Sequence, residues 1–211
     1  MKKTLLFITL AVFTGILSYQ ITWFHLLLLF LMALLLIFIA IVTIIRFFRK
    51  THKNLFRIPA LLLCICAIGI IVSLFKPYGN AIIHSEIVSK EIEFAYKTDQ
   101  NDRKTLKSYL DFSELNRRDE LRLEQVKDLY RKGAVSKSMD KFHAAFVFHH
   151  SDNSKDYEVA SKLASEAAKD PNLKENYQVQ WLAKAAYDRW MLSIGKPEKY
   201  NTQDKLSIEM E

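Results

Sequence analysis

Two neighbouring histidines followed at once by a hydroxyl and a carboxylate, His149-His150-Ser151-Asp152, are the first residues of this chain that could do chemistry. An imidazole titrates near neutrality, so His150 could act as a general base if a carboxylate oriented it, and Asp188 on a neighbouring helix is the candidate. The same histidine at a helix end can equally bond loop backbone, a structural use. No metal site is expected from His149, His150 and Asp152, because adjacent helical residues diverge by about 100° and rarely grip one ion. Asp188 and Arg189 are adjacent too, which suits two separate bonds: Arg189 inward to carbonyls of the segment that follows, Asp188 to a tyrosine or histidine. That segment, GKPEKYNTQ at residues 195–203, brings Tyr200 and Gln203. The catalytic candidates are therefore His150 and Asp188. His149, His150, Arg189, Tyr200 and Gln203 form a candidate polar centre for binding or for structure. There is no H-E-x-x-H, no CxxC pair, no phosphate-cradling glycine loop and no G-x-S-x-G elbow, and no cofactor is implied.

Helices must position these residues. Between Gly79 and Gly195 the chain has one glycine, Gly133, and one proline, Pro171, and it lacks the alternating Val/Ile/Thr runs of strands. An all-α domain over residues 79–211 follows. Residues 82–109 read as one helix or two, with Ile83, Ile87, Ile92 and Tyr96 as a thin apolar stripe and Asp99 four before Arg103 as an exposed pair. Asn116 can cap the next helix, which Gly133 stops. A helix from near Ser138 to His150 is apolar almost all round and belongs at the centre of a bundle. The Ala160, Ala164, Ala167 and Ala168 face allows close approach in the following helix, which Asp170-Pro171 ends. A last helix over residues 173–193 carries Tyr177, Trp181, Leu182, Ala185 and Arg189, and Gly195 and Pro197 terminate it.

The front of the chain is of another kind. No Asp or Glu precedes Glu86; eight Lys/Arg lie before it and 22 after it, against all 23 acids, so the net +7 divides into +8 and −1. The basic excess thus belongs to membrane flanks, and no nucleic-acid partner is expected. Residues 4–45 are uncharged over about twice the length one span needs, and residues 58–75 supply another. The expectation is a membrane anchor over residues 1–78 with three transmembrane helices at about 5–17, 23–45 and 58–75, broken at Ser18-Tyr19-Gln20. Lys2, Lys3 and the Arg46, Arg49, Lys50, Lys53, Arg57 loop put the N-terminus in the cytoplasm and the helical domain outside. A second reading makes residues 1–18 a signal peptide, which leaves that domain on the same side. His25 lies near the interface, and Cys64 and Cys66 sit on different faces of the third span.

The strings AAFVFHHSDN, WLAKAAYDRW and GKPEKYNTQ together resemble a bacterial all-helical domain family patterned as AA-apolar-QH-small, a helix ending in DR, and GKPQxYGTQ. The likeness runs from about Asp119 to Gln203. It marks His150, Asp188, Arg189, Gly195, Pro197, Tyr200, Thr202 and Gln203 as pattern positions, and the chain departs at His149, Glu198 and Asn201, where the pattern has Gln, Gln and Gly. The resemblance implies a shared fold and polar centre and carries no activity with it. The functional expectation is a membrane-tethered extracytoplasmic module with the lipid bilayer as one partner and an envelope or membrane protein, or another cell-envelope component, as the other. The alternative is a hydrolase-like enzyme using His150 with Asp188.

Overall fold

The computed structural model describes residues 2–48 and 53–203, without the side chains of Lys2, Lys3, Lys53 and Asn54. Arg49 and Lys50 of the basic loop, and residues 204–211, lie outside the described residues. Every regular element among those described is helical: α1 Lys2–Gln20, α2 Phe24–Phe48, α3 Arg57–Leu74, α4 Val88–Arg103, α5 Leu106–Leu110, α6 Phe112–Arg131, α7 Ser138–His149, α8 Ser154–Ala168 and α9 Tyr177–Ser193, with short 3-10 turns at Lys53–Phe56 and Pro171–Leu173. Contacts group them into two units. One takes the chain up to Tyr78 together with Arg103–Asp111; the other takes Gly79–Asp102 and everything from Phe112 onward.

In the first unit α3 packs against both α1 and α2. Gly69 makes the approach possible: a Cβ there would lie 2.5 Å from Leu28 Cδ1, 2.8 Å from Thr14 Cγ2 and 3.0 Å from Ser18 Oγ. Among the described residues two helices, α2 and α3, are long and apolar enough to cross a membrane, not the three expected, because the apolar stretch of α1, Thr4–Gln20, is shorter. The Ser18-Tyr19-Gln20 break expected from polarity moves: α1 runs through all three and the chain turns after Gln20. Ser18, 1% exposed, lies in the seam beside Gly69, and Lys76 Nζ donates to the Gln20 carbonyl at 3.0 Å, placing a cation on the C-terminus of α1 where the helix dipole favours one. The large side chains of α1–α3 mostly face outward, among them Leu5, Phe13, Phe30, Ile37, Phe47 and Ile58.

The second unit is built round α7, which is apolar on almost every side as the sequence suggested, with Phe142, Ala144, Ala145, Phe146, Val147 and Phe148 all buried. Fully buried alanines at 144, 145, 160, 164, 167 and 186 let α7, α8 and α9 pack closely. Burying Phe148 alone contributes about 1.5–3 kcal/mol. Gly133 and Gly195 take φ of 69° and 74°, the left-handed stops of α6 and α9.

Three local expectations are corrected. Asn116 lies inside α6, which begins at Phe112. The last helix starts at Tyr177, because Asp170 caps a separate 3-10 turn and Asn176 accepts from the Val179 amide to open α9. Asp99 is not an exposed partner for Arg103: it is 1% exposed, on the face of α4 that packs inward.

Candidate functional site

Two polar arrangements occupy the second unit. The first grows from α9. Asp188 is wholly buried, and the stop at Gly195 turns residues 196–203 back over it. Its Oδ1 accepts from the Lys199 amide at 2.8 Å and the Tyr200 amide at 3.0 Å; its Oδ2 accepts from the Thr202 amide at 3.1 Å and the Thr202 hydroxyl at 2.8 Å. Burial pushes the carboxyl up, but these donors outweigh it and hold Asp188 below the usual carboxylate range. Arg189 points the other way. Its Nε donates to Gln203 Oε1 at 3.1 Å and its Nη1 to the His149 carbonyl at 2.8 Å, with the guanidinium 5.9 Å from the Tyr157 ring. Gln203 in turn donates to the Ala185 carbonyl. Asp188 and Arg189 therefore hold the same segment by different ends. Asp188 binds its backbone amides, where a tyrosine or histidine side chain was expected; Arg189 meets a side-chain amide and a carbonyl of α7. Tyr200 contributes its amide to Asp188 and leaves its ring 42% exposed, edge-on to Tyr187.

The second arrangement gathers α4, α6 and the end of α7. His150 Nδ1 lies 3.0 Å from Asp99 Oδ2 and 3.1 Å from Oδ1, with its ring edge-on to Phe146. The carboxylate beside His150 is thus Asp99, and Asp188 is spent elsewhere. Arg122, with no exposed surface, donates to Asp102 at 2.6 Å and to Asp119 at 2.5 Å, and its Nε stands 4.0 Å from Asp99. Arg118 binds Asp102 through Nε at 2.7 Å and Nη2 at 3.1 Å, and donates to the Gly79 carbonyl. Burial disfavours the Arg122 cation, but the hydrogen bonds it donates to Asp119 and Asp102 hold its pKa above the ordinary arginine value. A cleft of about 540 Å³ opens in front of His150, lined by Asp99, Ser113, Asn116, Arg117, Asp119, Glu120, Ser151 and Asp152. A buried carboxylate behind an imidazole that borders open space is the base-and-orienter half of an acid–base site. His149, 4% exposed, turns into the bundle, and Ser151 donates to Asp156 at 2.6 Å.

Reading the sequence missed Asp99, Asp102, Arg118 and Arg122. The acids stand at i and i+3 on α4 and the arginines at i and i+4 on α6, each pair on one helix face, a pattern that a solvent-facing surface shares. A third feature, a groove of about 450 Å³ between α8 and α9, is walled by Glu158, Ser161, Lys162, Gln180, Tyr187, Trp190 and Tyr200. Among the described residues no group of three or more His, Cys, Asp or Glu side chains could hold a metal ion. No protein-family model matches the chain, and neither a curated protein nor a solved structure is significantly similar to it.

Proposed function

We propose that this chain is a membrane-tethered binding module: α1, α2 and α3 cross the bilayer with the N-terminus in the cytoplasm, and the helical bundle works outside, on a protein or another cell-envelope component. The groove between α8 and α9, with three aromatic rings on its walls, carries the binding reading, and the expected pairing of His150 with Asp188 does not form. Asp188, the carboxylate best suited by sequence to activate His150, has both oxygens consumed in holding residues 196–203. The anchor reading is supported by the outward apolar faces of α1–α3, which would be a liability in water over so large a continuous area. The proposed kinship with the DR/GKPQxYGTQ family is supported by Asn201, whose φ of 55° is a conformation glycine takes readily and asparagine next. The groove bearing Tyr187, Trp190 and Tyr200 suits a partner surface, since aromatic rings give large contact area at little entropy cost.

The Asp99–His150 pair favours a second reading, a hydrolase-like acid–base site in the cleft before α7. Photo-crosslinking in intact cells separates the two. A benzoylphenylalanine introduced at Lys162 or Tyr200 of the full chain should give a discrete adduct that His150→Ala leaves intact. If neither position yields an adduct, while the purified protein hydrolyses a substrate in a His150-dependent way, the binding reading fails. A C-terminal reporter that fluoresces only in the cytoplasm should stay dark.

A further inference from the structure

Residues 103–111 return to the anchor. In this stretch Leu106, Tyr109 and Leu110 stand at i, i+3 and i+4, which puts them on one side of the short helix α5. Tyr109 is 54% and Leu110 67% exposed, while Ser108 is fully buried. A short helix on a water-soluble surface turns its apolar side inward; α5 does the reverse and attaches by its polar groups. The Leu106 amide donates to His25 Nε2 at 3.2 Å, Lys107 Nζ to the Lys76 carbonyl at 3.3 Å, and the Ser108 and Tyr78 hydroxyls lie 3.2 Å apart. Lys107 also sits 4.6 Å from the centre of the Tyr78 ring.

These bonds fix the depth of α5. His25 is in the first turn of α2, and Lys76 follows α3 and reaches back to the Gln20 carbonyl and the Thr22 hydroxyl. At this end of the three helices stand Tyr19, Trp23 and Phe75, all exposed. Aromatic rings of this kind collect where hydrocarbon meets water. We propose that α5 is an interfacial foot: Tyr109 and Leu110 enter the boundary between lipid headgroups and acyl chains, about 5–10 Å deep. The occupant is lipid because α5 packs on α3, a helix whose large apolar side chains face outward, at the end where Tyr19, Trp23 and Phe75 are exposed. The inference rests on the membrane-spanning reading of α2 and α3.

Spin labels on the full-length protein in lipid nanodiscs test it, with oxygen and a water-soluble nickel chelate as relaxing agents. Cys64, exposed on α3, reports the spans in a Cys66→Ala variant; Leu110→Cys in a Cys64→Ala, Cys66→Ala background reports α5. The expected result is a label at Cys64 relaxed by oxygen and shielded from nickel, and a label at position 110 with shallower oxygen access and reduced nickel access. A label at 110 as open to nickel as one at exposed Lys196, with Cys64 still deep, overturns the foot alone. Nickel access at Cys64 overturns the spans, and the foot with them. If Leu110→Cys fails to give a monodisperse helical protein, Tyr109→Cys serves in its place, with the same two outcomes.

Discussion

Removing the Asp188 carboxylate should release residues 196–203 while the bundle stays folded. Three backbone amides and one hydroxyl converge on this single buried charge. At about 1 kcal/mol net for each bond, Asp188→Ala forfeits about 3–4 kcal/mol. The amides need not remain stranded, because Lys199 and Tyr200 lie at the surface and regain water once the segment lifts. The loss is therefore capped by the free energy that docks the segment, and appears locally. With 1.4 kcal/mol per factor of ten, amide hydrogen exchange at Tyr200 and Thr202 should accelerate by about 10²–10³. Exchange in α7 and α8 should change little. Asp188→Asn keeps one acceptor and turns an amide donor toward donors, so it should fall between. The pH dependence has a fixed sign. A carboxyl whose folded pKa is depressed stabilises above its unfolded pKa, about 3.9, and the effect is lost as pH falls through the folded value. Protection, corrected for intrinsic exchange, should hold from neutral pH to about 5 and fail only below about 4. Exchange in residues 196–203 that is the same in Asp188→Ala as in the parent would refute the clamp.

Other expectations can be checked by melting the full-length protein in detergent. Arg122→Ala leaves Asp102 and Asp119 facing a buried gap and should cost about 3–5 kcal/mol, read from denaturant midpoints; a change within error would mean the cluster is wet. Gly69→Ala should cost about 1–3 kcal/mol, since Leu28, Thr14 and Ser18 must all shift, and Gly69→Val should lose the α1–α3 seam in SDS titration; an unaltered titration would show the helices less close.

What could be read beforehand was local or periodic. The all-helical class, the central place of α7 and the glycine stops followed from apolar patterning and from punctuation by Gly133 and Gly195. That Arg189 holds the segment after Gly195 was legible, though it does so through the Gln203 side chain where backbone carbonyls were expected, and the Tyr200 ring stays exposed. The partner of His150 was not, since pairing Asp99 with His150 joins residues 51 positions apart. A charged face that binds another charged face looks, in sequence, the same as one that meets water. Arg118 and Arg122 on α6, opposite Asp99 and Asp102 on α4, are that case. The return of Arg103–Asp111 to the first unit was equally hidden, because the bonds that hold it are single amides and hydroxyls with no periodic signature.

That return sets an order in time. Ribosomes add about 5–20 residues per second, so the 37 residues from Leu74 to Asp111 take about 2–7 s to follow. For that interval the core of α1, α2 and α3 exists without α5, and His25 waits without the Leu106 amide. The carboxylates of Asp99 and Asp102 are made before either arginine of α6, and stay hydrated until Arg118 and Arg122 pack against them. Neither unit is a contiguous stretch of chain, so neither can finish folding before part of the other has been synthesised.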